Sequence, residues 1–140
     1  MAKTVRFSVS ISSDLLERFD HAIKERSYGS RSKAVRDMIV NFLIERAWER
    51  SDEEVMGSLT ILYDHEVKGL VEKLLDIQHE NREIIISTMH IHVDERNCME
   101  ILAVKGRPKE IRNLSDRILG CKGVKHGKLV MSSTGKEVTC

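Results

Sequence analysis

A single amphipathic strand near the N-terminus places the strongest constraint on how this chain folds. Between Val5 and Ile11, apolar residues alternate with polar ones, which is the period-2 pattern of a half-buried strand. The pattern then changes to two helices, so the first 50 residues are organised as strand–helix–helix. Because one strand with an apolar face cannot form a sheet alone, we expect it to pair antiparallel with the same strand of a second chain.

Two helical patterns follow the strand, and each begins beside a serine that can cap a helix. Ser12 or Ser13 precedes the first apolar stripe, and Ser30 precedes the second and longer one. The pair Tyr28-Gly29 separates them and is expected to end the first helix.

The polar face of the paired strands carries groups that suit DNA. A two-stranded ribbon fits the major groove, where arginine can bond guanine and serine can bond several base edges. Backbone N–H groups, hydroxyls and a guanidinium at the start of the second helix suit phosphate. The alternative is that the polar strand residues are an ordinary solvated face. The predicted base contacts are Arg6, Ser8 and Ser10, and the predicted phosphate anchors are Ser30, Arg31 and Ser32.

The charge distribution agrees with different functions for the two halves of the chain. The 140 residues carry a formal net charge of only +1, which excludes nucleic-acid binding by bulk positive charge. Residues 1–50, however, hold ten basic and seven acidic side chains, whereas the remainder has a small acidic excess. With 41% hydrophobic residues the chain can also bury a core, so wholesale disorder is not expected.

From Val55 onward the hydrophobic pattern indicates six further segments. Their order is strand, helix, strand, strand, helix, strand, which is the βαββαβ order of a ferredoxin-like antiparallel sheet with helices on one face. The whole chain is therefore of the α+β class, and the polar stretch after Arg50 separates domain 1–50 from domain 51–140. The expected segments are strands at 55–63, 84–93, 99–105 and 124–131 and helices at about 65–79 and between Pro108 and Gly120.

Three histidines and one cysteine in this second half form a candidate metal site. His90 and His92 share one face of a strand, and Cys98 follows a turn at the start of the returning strand. His79 ends the preceding helix. Imidazoles and a thiolate suit Zn(II), Cu(II), Ni(II) or Co(II) and exclude Mg²⁺ or Ca²⁺, but the spacing does not choose among the four. The alternative is that these are structural or exposed side chains.

The remaining candidate residues are more simply explained as structural or solvent-exposed side chains than as functional groups. The free thiols of an odd cysteine count suit a reducing compartment, and no signal peptide or spanning segment is evident, so we expect a cytoplasmic protein with no membrane partner. Cys121 is expected to be structural, and Cys140 is terminal. His65 is expected in a solvated loop, or as a surface ligand for excess metal. Trp48 is expected to pack between the domains.

Both halves resemble known proteins. The strand–helix–helix order and the alternating Arg-x-Ser-x-Ser resemble the ribbon-helix-helix DNA-binding domain over about residues 3–48. His79, then His90-x-His92 and Cys98, in a βαββαβ domain behind it resemble the NikR family of nickel-responsive transcriptional regulators. Three further segments are similar to that family, namely Tyr63-Asp64-His65-Glu66, Gln78-His79 and Gly123-Val124-Lys125-His126-Gly127.

The resemblance implies a specific function. A member of this family would be a repressor of nickel-uptake genes that binds a palindromic double-stranded DNA operator when Ni(II) is bound. It would be a homotetramer, a dimer of dimers, with one square-planar Ni(II) per subunit. His90, His92 and Cys98 would come from one subunit and His79 from a neighbour. The second domain would be ACT-like and would serve both metal binding and tetramerisation.

One position departs from the family pattern. Members often carry an acidic pair one turn apart in the second helix, which helps to hold a second cation. Here Asp37 stands at the second position, but Lys33 stands at the first. The second cation site is therefore not expected in its usual form, or the ammonium group of Lys33 takes the cation's role.

Two other classes of function stay open at this stage. A metal-dependent hydrolase would need an open coordination position and a general base, and four protein ligands leave no such opening, so we do not expect an enzyme. An ACT-domain sensor of an amino acid or another small molecule, with incidental histidines and a ribbon-helix-helix domain, is the second alternative.

Overall fold

The computed structural model describes residues 3–50 and 52–136, which form two compact units. In the first, helix α1 (Ser13–Glu25) is followed by helix α2 (Arg31–Arg50). Residues 3–12 belong to no helix or strand within this single chain, and Val5, Phe7 and Val9 are each about two-thirds exposed or more. A strand exists only through hydrogen bonds to a neighbour, and the neighbour that the sequence predicts for this segment is a second chain.

Both helices begin at the expected serine caps. Ser12 has extended backbone dihedrals, and its Oγ accepts the backbone N–H of Leu15 at 3.2 Å. The Oγ of Ser30 accepts the N–H of Lys33 at 3.1 Å. Between the helices Ser27 adopts a positive φ of 58°, which reverses the chain. Within the described residues, no helix combines the length and apolar character that a bilayer crossing requires.

The second unit is built on a four-stranded antiparallel sheet with the spatial order β2-β3-β1-β4. This is the predicted βαββαβ arrangement, and each strand lies within two residues of its predicted bounds. The elements are β1 (Val55–Asp64), α3 (Leu70–Glu80), β2 (Ile85–His92), β3 (Asn97–Gly106), α4 (Pro108–Leu119) and β4 (Val124–Met131).

The core lies between one face of this sheet and the helices. Alternate residues of β1 and β3 point to that face, because side chains alternate across a strand. Leu59 and Ile61 of β1 and Leu102 of β3 are at most 1% exposed. At Gly127 of β4 a side chain would overlap Leu119 of α4, so a glycine lets this helix lie directly on the sheet.

Helix α3 begins later than the sequence predicts. We expected it from about His65, but it starts at Leu70, and turns occupy residues 65–69. The Oδ1 atom of Asp64 accepts the N–H of Glu66 at 2.9 Å, which holds the chain in a turn. Gly69 then adopts a left-handed φ of 80°, a conformation incompatible with the interior of a helix.

The last two turns of α2 pack within the second unit, which spans Ile44–Thr134. Trp48 is only 2% exposed, and its indole N–H donates to the carbonyl of Ser132 at 2.9 Å. Gly57 of β1 lies against the indole ring, where a Cβ atom would come within 3.1 Å of it and 2.8 Å of the Val130 carbonyl oxygen. Trp48 is thus a core residue, and the assignment of residues 1–50 and 51–140 to separate domains stays a prediction.

Candidate metal centre

Strands β2 and β3 bring three of the four predicted ligands together. His92 lies directly opposite Cys98 in the antiparallel register, and His90 lies opposite Glu100. His90, His92 and Cys98 therefore share the face of the sheet that packs on the helices. Their candidate ligand atoms all lie within 4.8 Å of one another. We call these residues the ligand trio.

The trio combines one buried thiol with two exposed imidazoles. Cys98 is 1% exposed because β3 is an inner strand, whereas His90 and His92 lie on the edge strand β2. The Nδ1 atom of His92 lies 3.7 Å from the Cys98 sulfur, and the two imidazole rings are 5.1 Å apart between centroids. An ion bound here would be held by the thiolate of Cys98 and the imidazoles of His90 and His92.

This donor set fits a borderline metal ion such as nickel. One thiolate and two imidazoles favour Ni, Cu, Zn or Co over hard, oxygen-seeking cations. Four-coordinate binding needs one further donor, which leaves room for a ligand from elsewhere.

His79 is not part of the trio within this chain. It occupies the last turn of α3, is exposed, and lines an open cleft of about 290 Å³ with Asn81 and Glu110. Its imidazole is therefore available at the surface of the chain, as a ligand donated to another subunit would have to be.

Two further histidine contacts surround the trio, and no sequence pattern predicts them. The Nδ1 atom of His65 lies 3.5 Å from the Cys98 sulfur, so His65 contacts the site rather than pointing into solvent. The Tyr63 hydroxyl lies 3.5 Å from Nδ1 of His90. Burial, reinforced by the charges of Glu100 and Cys98, raises the pKa of Tyr63 to about 12. The phenol therefore stays protonated, and donation to Nδ1 would leave Nε2 of His90 for a metal.

A buried acid–amide pair links the sheet beside the trio to helix α3. Glu100 is 7% exposed, and its Oε1 accepts a hydrogen bond from Nε2 of Gln78 at 2.8 Å. Gln78 directly precedes His79. Sequence reasoning missed this pair, although Glu100 follows Cys98 by two residues in a strand and must therefore share its face.

The residues predicted to contact DNA are exposed, but some of them already form hydrogen bonds to other groups of this chain. Arg6, Ser8 and Ser10 are exposed in the extended segment before α1, and Ser32 is exposed on α2. The hydroxyl oxygen of Ser30 accepts the cap bond of α2, so the hydroxyl can contact a phosphate only by donating its hydrogen.

The guanidinium of Arg31 is held by an acidic side chain of α1. Its Nε and Nη2 donate to the two carboxylate oxygens of Asp20 at 2.7 and 2.6 Å. These bonds hold the pKa of Asp20 below its ordinary value and raise the pKa of Arg31. A phosphate contact by Arg31 would have to share or replace this partner.

Lys33, which stands where the family pattern has an acidic residue, contacts the second residue of that pattern. Its ammonium group forms an ion pair with Asp37 one turn later in α2. The carboxylate that the family resemblance associates with a second cation therefore has a cationic partner from this chain.

Of the two remaining cysteines, the structure describes Cys121. Cys121 is buried after α4, where its thiol donates to the carbonyl of Arg117 at 3.3 Å, in agreement with a structural role. Cys140 lies outside the described residues.

Comparisons with known proteins agree with both halves of this description. Residues 5–46 match the ribbon-helix-helix protein model of the copG family, and residues 56–132 match the NikR C-terminal nickel-binding domain. Together they define a regulator in which a DNA-binding domain is joined to a nickel-binding domain. The chain belongs to the family of nickel-responsive regulators. It is accordingly a nickel-responsive DNA-binding protein and not an enzyme.

Relatives match over nearly the full length. A protein of Pyrococcus abyssi, provisionally named a nickel-responsive regulator, is 54% identical over 134 residues, which is 96% of this chain and 97% of the relative. Proteins with the same provisional name from Thermococcus kodakarensis and Geobacter sulfurreducens are 49% and 48% identical. They cover 97% and 99% of this chain and 99% of each relative.

The similarity to a solved structure concerns the fold and not the function. An uncharacterized protein from Thermotoga maritima superimposes with a TM-score of 0.52 at 24% identity, over 56% of this chain and 98% of that protein.

Proposed function

We propose that this protein represses nickel-uptake genes by binding a palindromic operator when each of its subunits holds one Ni(II) ion. The observation that carries the proposal is the convergence of His90, His92 and Cys98 on one face of the sheet, in a chain that also carries a domain of the ribbon-helix-helix class. The protein would act in the cytoplasm, where DNA and free thiols both occur.

The trio supports a site shared between subunits. One chain offers three soft or borderline donors within 4.8 Å, and His79 remains exposed on the same chain. In our proposal, the trio of one subunit and His79 of a neighbour hold the ion in a homotetramer, a dimer of dimers. Bound nickel would supply a coordinate link between chains, which favours whichever assembly brings all four ligands together.

The N-terminal segment supports the DNA half of the proposal. Val5, Phe7 and Val9 expose an apolar face that pairing with a second chain would cover, and the same pairing would display Arg6, Ser8 and Ser10 twice. The start of α2, with Ser30, Arg31 and Ser32, would anchor phosphates on each side. Two ribbons in one tetramer would bind two half-sites of a palindrome, and the linkage between them would provide affinity that one ribbon lacks.

The trio also implies a pH dependence. Cysteine binds a metal ion as thiolate, and histidine binds as neutral imidazole, so protons compete with the ion at all three positions. Nickel affinity should therefore fall as the pH is lowered.

A selection experiment tests the proposal and identifies the operator at the same time. The full chain is incubated with random-sequence duplex DNA in Ni(II) or in chelator, and bound DNA is amplified and sequenced through several rounds. We expect inverted repeats to enrich only in nickel. Equal enrichment in both conditions would rule out nickel-dependent DNA binding, and enrichment of unrelated single half-sites would rule out a palindromic operator bound by two ribbons.

The variant Cys98→Ser provides the matched control for that selection, because it changes one ligand atom and little volume. It should fail to enrich inverted repeats in nickel. Cys121→Ser, which changes the other described buried thiol, should select the same repeats as the parent chain.

A further inference from the structure

A short hairpin joins the strands that carry two ligands of the trio, and residues at the end of β1 contact it. The hairpin comprises residues 93–96, which join His92 at the end of β2 to the start of β3, where Cys98 lies. Within the hairpin, the Oδ1 atom of Asp94 accepts the backbone N–H groups of Arg96 and Asn97 at 2.9 and 2.8 Å. These bonds are the local geometry of a tight turn and leave open how the turn is oriented against the sheet.

Arg96 links this turn to the end of β1. Its Nη2 donates to Oδ2 of Asp64 at 2.7 Å, and its Nε lies 3.2 Å from a carboxylate oxygen of Glu66. Its carbonyl accepts the backbone N–H of His65 at 2.9 Å. One residue of the hairpin thus contacts three consecutive residues at the end of β1, through both its side chain and its backbone.

The carboxylate at the centre of this contact is buried. The side chain of Asp64 is 9% exposed, and Arg96 is the partner that forms an ion pair with it. A buried carboxylate that loses its cation is strongly disfavoured, so Asp64 holds Arg96 in place as much as Arg96 holds the hairpin. From β4, the next strand beyond β1, Nζ of Lys125 donates to Oδ1 of Asn97 at 2.6 Å.

We infer that Arg96 is a positioning residue for the metal site, which acts through its ion pair with Asp64 to hold His92 and Cys98 at coordinating distance. The two atoms that it spaces are the Nδ1 of His92 and the sulfur of Cys98, 3.7 Å apart. Without the ion pair, the hairpin could move relative to β1, and binding would have to restrict it again. Holding ligands in place before binding removes that cost from the affinity.

The inference rests on the proposed function, because it presumes that the trio binds nickel. Groups that orient ligands from outside the coordination sphere typically change metal affinity by about 10- to 100-fold when removed. We expect the lower end of this range for Arg96, since it acts on the hairpin and not directly on a ligand.

The test compares three variants of the full chain by competition with a chelator for Ni(II). Arg96→Ala is expected to weaken nickel binding about tenfold. Arg96→Lys, which can keep one contact with Asp64 but lacks the planar fork, should recover part of the loss. Arg117→Ala, which removes a similarly exposed arginine paired with Glu80 at 2.8 Å, should stay close to the parent affinity.

A double-mutant cycle separates positioning from simple destabilisation. In Asp64→Asn the amide oxygen can still accept the Glu66 N–H, so the turn is retained while the ion pair is lost. If the pair acts as a unit, Arg96→Ala in the Asp64→Asn background should cost little further affinity. Thermal unfolding of the metal-free variants should not follow the same order as their nickel affinities.

The outcomes are distinguishable from a failure of the proposed function. If the parent chain shows thiolate-to-nickel absorption and Arg96→Ala binds as tightly as the parent, the inference is wrong and the proposed site stands. The inference is equally wrong if Arg117→Ala loses as much affinity as Arg96→Ala. If the parent shows no such absorption, both the site and the inference are wrong.

Discussion

His92 and Cys98 face each other across the β2–β3 pair, with the Nδ1 of one 3.7 Å from the sulfur of the other. This pairing combines an exposed edge strand with a buried inner strand. The imidazole of His92 is therefore accessible from outside the chain, whereas the sulfur of Cys98 is shielded from water. In our proposal, a neighbouring subunit approaches the site from this exposed side.

The thiol of Cys98 should dominate the spectrum of the nickel complex. Adding Ni(II) to the full chain should give an intense ultraviolet thiolate-to-nickel absorption that saturates at one ion per chain. Cys98→Ser should abolish this band, because an alkoxide is not formed at neutral pH and cannot replace the thiolate. Cys121→Ser serves as the control and should leave the band unchanged, and loss of the band there would place the sulfur ligand elsewhere.

The proposed donation of His79 between subunits predicts complementation. His79→Gln would remove the donated ligand and Cys98→Ala would remove a ligand of the trio, so each variant alone should lack the complete site. Chains of both variants co-expressed in one cell should form mixed tetramers, in which the intact trio of one meets the His79 of the other. Part of the nickel absorption should return. No recovery in mixed tetramers verified by mass spectrometry would contradict a shared site.

The ion pair between Asp20 and Arg31 predicts a small pH-dependent contribution to stability. The pKa of Asp20 is lowered by its hydrogen bond to Arg31, so the folded state binds this proton less readily than the unfolded state. The stabilisation is therefore present above the ordinary aspartate pKa of 3.8 and is lost as the pH falls through the lower folded value. Because both side chains are exposed, the contribution is modest and is screened by salt.

Thermal unfolding of Asp20→Asn measures this contribution. The variant should unfold at a slightly lower temperature than the parent at pH 7, and the difference should begin to shrink near pH 3.8 and vanish below the lower folded pKa of Asp20. A difference that stays constant over this range would show that the ionised carboxylate is not responsible.

Trp48 should be among the strongest contributors to the core of the second unit. Trp48→Ala should lower the free energy of unfolding by about 3–5 kcal/mol, because it leaves a large cavity. Trp48→Phe should cost less, since the ring remains and only part of its volume and the hydrogen bond to Ser132 are lost. Circular dichroism in denaturant gives both values. Equal stability of the alanine variant and the parent would contradict burial of this side chain.

Local patterns predicted most of the fold. The caps at Ser12 and Ser30 and the strand pattern from Val55 each depend on neighbouring residues, and the structure confirms them. The early start predicted for α3 was wrong because apolar spacing does not reveal that Asp64 holds a turn and that Gly69 takes a left-handed conformation. Both effects depend on backbone angles, which apolar spacing does not encode.

From the sequence, the site was predictable only where the alternation of side chains along a strand determines which residues lie on the same face. Two histidines at i and i+2 must share a face, and a hairpin brings Cys98 to that face, so the trio follows from spacing. The contacts of His65 and Tyr63 depend on the sheet order, which places β1 beside β3, and no local pattern encodes that neighbour. The contact of Arg96 with Asp64 joins residues 32 apart in the chain for the same reason.

DNA affinity measured against nickel content per chain tests the coupling between the two halves of this protein most directly. A duplex carrying the selected inverted repeat is labelled, and its fluorescence anisotropy is followed with protein loaded with zero to two equivalents of Ni(II). We expect the affinity to rise steeply, to level off at one ion per chain, and not to rise in Cys98→Ser. An affinity that is independent of nickel, or that rises equally in Cys98→Ser, would contradict nickel-dependent DNA binding through this site.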